Sequence, residues 1–139
     1  MAVPRSVRWA LFLPVGVICS LLAVSLLDAC FDAAGLPRVH AFTPRAAASR
    51  FVAGLTLVLF PALLSPRRWL VGVVMLAIGL ALAVVPLAYN FLVLPYMRER
   101  LLAGGAGAAL GMIAAFALGG GLALFLIRRS GRGAAAVAS

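Results

Sequence analysis

The sequence predicts an all-α, polytopic integral membrane protein: four transmembrane helices in a single bundle, with both termini on the cytoplasmic side. Three observations carry that expectation. Hydrophobic residues fill 65% of the 139 positions and charged residues only 11%, against roughly 25% charged in a soluble domain. The apolar residues gather into runs that, at a helical rise of ~1.5 Å per residue, cross a hydrocarbon core of roughly 30 Å. The basic residues are all arginine, and most sit at the ends of those runs. The spans are placed near 8–30, 44–65, 69–90 and 104–127, with an outer loop at 31–43, a cytoplasmic tail at 128–139 and no separate soluble domain.

Arg5 and Arg8 lead into the first span, whose apolar core runs from Trp9 to Leu27. A basic start and an apolar core are shared with signal peptides, but this core is long for one, so an uncleaved span is expected. Pro14 removes one backbone donor and should bend the helix. Leu27-Asp28-Ala29-Cys30 has the outline of a bacterial lipoprotein box, though the Asp fits that pattern poorly. Cys19 and Cys30 are eleven positions apart on one helix. They cannot bridge to each other within it, because a disulfide needs Cα atoms ~4.4–6.8 Å apart.

The first helix should continue to Ala34, with Gly35 as its C-cap and Pro37 beyond. That places Asp28 and Asp32 one turn apart on one face, at the negative end of the helix dipole, where neither acid is favoured. Either both acids are simply solvated at the helix end, or a positive partner sits nearby, from Arg38, Arg45 or Arg50 or from a divalent cation. His40, the single histidine, has no ligand spacing around it and reads as a surface residue.

Thr43-Pro44 reads as an N-cap followed by a proline at the first helical position. The purely apolar part of the second span, from Phe51, is too short to cross, so Arg45 and Arg50 should lie at the interface and snorkel. Pro61 should bend this span. Ser65-Pro66-Arg67-Arg68 leaves almost no loop, which makes spans two and three a tight hairpin.

The third span carries Gly72, Gly79 and Pro86 at seven-residue intervals, a stripe suited to a left-handed neighbour. Tyr89, Phe91 and Tyr96 read as an aromatic belt, 92–97 as a short surface segment, and Arg98, Glu99 and Arg100 as the close of that loop. In the fourth span Gly107, Gly111, Ala115, Gly119 and Ala123 recur every fourth position. Such a smooth, slowly rotating face lets another helix backbone come close. The Gly/Ala-rich, basic end from Ser130 is expected to be flexible.

Orientation follows from arginine placement. Arg5, Arg8, Arg67, Arg68, Arg128, Arg129 and Arg132 fall on one side, and Arg38, Arg45, Arg50, Arg98 and Arg100 on the other with all three acids; the first side should be cytoplasmic. Arg8-Trp9 and Arg68-Trp69 begin two spans alike, which admits a duplicated hairpin or a common interfacial anchor recurring by chance. Twelve arginines without a lysine, amid abundant Ala and Gly, point to a GC-rich bacterial genome and so to a bacterial cytoplasmic (inner) membrane.

No charged residue falls within 9–27, 51–65, 69–90 or 104–127. Proton-coupled export, haem carriage and intramembrane proteolysis all lack the side chains they require. The net charge of +9 would suggest nucleic acid in a soluble chain, but here no polar domain presents a groove. Neither catalytic groups, a cofactor nor a metal site is expected. The reading is a structural or accessory subunit of a larger membrane assembly, in contact with lipid and with other subunits or itself. The alternative is a small homo-oligomeric transporter, channel or flippase. A third reading, an enzyme at the outer surface, would have to use Asp28, Asp32, His40 and Glu99.

Overall fold

The structure, a computed structural model, describes residues 5–36 and 43–137, with side chains at 10–36 and 43–131. Arg38 and His40 fall outside the described residues. The described chain is helical, without strands: α1 (Arg5–Ala33), α2 (Pro44–Leu64), α3 (Arg68–Val93), a short α4 (Pro95–Arg100), a kinked turn (Leu101–Gly105) and α5 (Ala106–Val137). Four helical segments are long and apolar enough to cross a membrane, making this a multi-pass membrane protein.

Local chemistry sets most boundaries. Gly35, at φ +73°, ends α1 in a Schellman motif: Leu36 N–H donates to Phe31 O at 3.0 Å and Gly35 N–H to Asp32 O at 3.1 Å, satisfying carbonyls the helix end would orphan. Thr43 caps α2 by accepting from Ala46 N–H at 3.3 Å, with Pro44 in the first turn. Buried Ser65 accepts from Arg67 N–H at 3.1 Å and so shapes the hairpin between α2 and α3.

Some boundaries differ from expectation. Helix α3 continues past Asn90 to Val93, and the short exposed segment after it is the helix α4. Gly104, expected to open the fourth span, instead sits at a kink with φ +119°, a backbone state that favours glycine. The end expected as a flexible tail is helical to Val137.

Helix α2 is the hub of the bundle. It packs most extensively on α5, then on α1 and α3, and α3 also packs on α5. The connections make α2 and α5 parallel, with α1 and α3 running the other way. One end holds the C-terminus of α1 and the N-terminus of α2 (the loop end), and the other holds the Ser65–Arg67 turn (the hairpin end). One buried cluster joins Phe12, Leu57, Val71 and Met75; a second joins Val58, Ala62, Ala123 and Ile127. Large apolar side chains such as Leu26, Leu82 and Leu118 are exposed, as expected where the surrounding solvent is lipid.

Candidate functional site

The α2–α5 contact is a meeting of backbones. A Cβ added at Gly119 would run into the carbonyl oxygen of Phe51 and lie 3.0 Å from Leu55 N, while one at Gly54 would run into the carbonyl oxygen of Phe116. Ala123 is fully buried beside Val58 and Ala62. Gly54, absent from the sequence-based set, is thus the α2 counterpart of Gly119; a lone glycine in an apolar run was its one signal. On α3, a Cβ at Gly72 would lie 2.7 Å from Leu124 Cδ2, and Gly79 faces Phe116 and Leu57. Gly111 and Ala115 are half-buried. Gly107 is exposed, and a Cβ there would meet nothing within 4 Å.

The reason is rotation. At ~100° per residue a four-residue stripe turns by ~40° per step, so Gly107 lies ~120° around α5 from Gly119. The contact therefore takes only part of the stripe. On the opposite side of α5, Gly107, Ala114 and Gly121 are exposed at seven-residue spacing, and nothing approaches Gly107 or Gly121 within 4 Å. These three stay within ~40° of one another and ~140–180° from Phe116.

At the loop end, Arg45 gathers the end of α1. Its Nη2 donates to Asp32 Oδ1 at 2.7 Å and to Asp28 O at 3.2 Å, and its Nη1 donates to Leu36 O at 2.7 Å. Its Nε lies 3.7 Å from Asp28 Oδ1, and the guanidinium stands 5.6 Å from the Phe31 ring centroid. A planar guanidinium suits several acceptors at once. Ser49 Oγ donates to Asp28 Oδ1 at 3.0 Å, a contact the sequence reading omitted. Arg38 lies outside the described residues. Arg50 takes no part: it is exposed and makes no ion pair or hydrogen bond to the described residues.

Inside the spans, Thr56 Oγ1 donates to Val52 O at 2.7 Å within its own helix. Ser20 Oγ donates across to Ala53 O on α2 at 3.2 Å. Both described cysteines are free, Cys19 half-buried and Cys30 exposed. No cluster of three or more metal-ligating side chains occurs among the described residues.

Helix α1 touches α3 at the hairpin end, where a Cβ on Gly16 would lie 2.6 Å from Pro61 Cγ and 2.7 Å from Met75 Cε. Toward the loop end α1 stands away from α3 and α5. An open cleft of about 530 Å³ results, with Val17 and Leu21 on one wall, Leu82 and Ile113 on the other, and Ala53 on its α2 floor. Arg50 sits at its polar end and is shared with an adjoining cavity of about 600 Å³ that reaches Asp28, Asp32 and Ser49. Such volumes are usual for small-molecule sites. Comparison with family models, curated proteins and solved structures finds no match.

Proposed function

We propose that this protein is a non-catalytic accessory subunit of a larger assembly in a bacterial cytoplasmic membrane, with both termini inside. The observation that carries the reading is the open seam of Gly107, Ala114 and Gly121, on the side of α5 away from the bundle. In lipid, helices associate through close van der Waals packing rather than hydrophobic drive, and small residues permit that approach. The bundle's own contacts use the other face of α5, through Gly119 and Ala123.

Purification in mild detergent tests the proposal. The native chain should elute with a stoichiometric membrane partner, and the pair Ala114→Leu and Gly121→Leu should release it without lowering the thermal midpoint of the chain itself. A partner retained by that variant, or a native chain that elutes alone, would count against an accessory role. Elution as an oligomer of this chain only would favour the second reading, a small transporter, channel or flippase. That reading has one observation of its own, the cleft lined from α1, α2, α3 and α5.

A further inference from the structure

The cleft and the seam lie on different sides of α5, so what fills the cleft is a separate matter from what docks on the seam. Three features define the occupant. The body of the cleft is apolar, walled by side chains such as Val17, Leu21, Leu82 and Phe116. It is closed at the hairpin end, where Phe12 and Gly16 approach Met75. At the loop end it reaches Arg50, an exposed guanidinium with no carboxylate bound among the described residues, because Asp28 and Asp32 are held by Arg45. A long apolar slot ending at a cation is complementary to an amphiphile with an anionic head.

The geometry points to a binding site for one anionic phospholipid of the surrounding bilayer, with an acyl chain between α1 and the α3/α5 pair and the phosphate on Arg50. The position of Arg50 suits this. It follows the first six residues of α2, where a long basic side chain reaches the interfacial layer that holds lipid phosphates. Arg and phosphate form charge-assisted, commonly bidentate hydrogen bonds. A zwitterionic lipid would place the same phosphate there but would bring its own cation beside the guanidinium, so an anionic head is preferred. This site goes beyond the accessory role and does not depend on it.

The full chain, purified and delipidated in neutral detergent, would be titrated with phosphatidylglycerol and with phosphatidylcholine, bound lipid being counted by native mass spectrometry. One phosphatidylglycerol should bind in preference to phosphatidylcholine. Arg50→Gln, a change at an exposed side chain, should weaken phosphatidylglycerol by about tenfold, as for loss of a charge-assisted hydrogen bond, and Arg100→Gln should leave it unchanged. Equal binding of the two lipids, or native-like binding by Arg50→Gln, would overturn the assignment. A photoactivatable phosphatidylglycerol with the reactive group on its acyl chain gives a readout on the unaltered protein. It should label 17–24 and 82–87, and labelling spread evenly over the exposed faces of all spans would mean no site exists.

Discussion

Removing Arg45 would leave Asp28 and Asp32 stacked one turn apart at the negative end of α1, with four acceptor contacts from its guanidinium lost at once. Asp28 and Asp32 retain 40% and 37% of their side-chain exposure, so water screens the pairs and their worth lies toward the lower part of the range for charged contacts. Changing both acids to Asn should lower the thermal midpoint, and so should Arg45→Gln. Combining all three should cost less than the sum, by about 0.5–1 kcal/mol, the lower part of the range for groups in one network. Additive losses in denaturant titration would show that the groups do not couple. Arg50→Gln should not couple with either acid. The sequence showed two acids on one face and three candidate arginines, yet the choice among them depends on how far α2 slides along α1, which no local pattern fixes. Ser49 was legible: it follows Arg45 by four positions, and an i, i+4 pair on α2 meets the i, i+4 pair Asp28 and Asp32 on antiparallel α1.

Between helices, α2 and α5 approach so closely that main-chain atoms occupy the space a Cβ would need at Gly54 and Gly119. Backbone cannot swing aside as the end of a side chain can, so Gly119→Leu must separate the two helices that share the most extensive contact. The expected loss is about 1–3 kcal/mol or more, in line with overpacking elsewhere, measured as detergent-resistant thermal stability. Gly107→Leu, on the same stripe but with nothing near it, should be neutral in that measurement. Equal losses would mean that the stripe acts as a single continuous face. Four-residue spacing was visible in the sequence, and so was its drift; what could not be read was which stretch of the drifting face meets α2, since that depends on where Gly54 lies in depth. The wide gap between α1 and α3 was equally hidden. Hydropathy sets the number of spans, whereas their splay depends on contacts at one end, here Phe12 and Gly16 against Met75.

For the molecule as a whole, the up-and-down path of the four spans leaves two possible insertions, and arginine placement discriminates between them. The bundle gathers Arg68 and Arg128 around one cavity at the hairpin end, with Pro66 and Trp69, and the neighbouring Arg67 and Arg129 belong to the same end. Counting Arg5, Arg8 and Arg132, this end has seven of the twelve arginines and no acid, while the other has, among the described residues, Arg45, Arg50, Arg98, Arg100 and all three acids. Basic residues close to span ends resist translocation, and the bias counts them rather than net charge. At the loop end Arg98 and Arg100 stand 5.5 Å and 5.2 Å from the rings of Phe91 and Tyr96, where aromatic and basic groups anchor together at an interface. The hairpin end should therefore face the cytoplasm. A reporter that is active only in the periplasm should be silent when fused after Ser139 and active when inserted near Ala41. The reverse pattern would invert the bundle and place the Arg50 end of the cleft at the inner leaflet, and activity at both positions would mean that one of the four apolar helices does not cross.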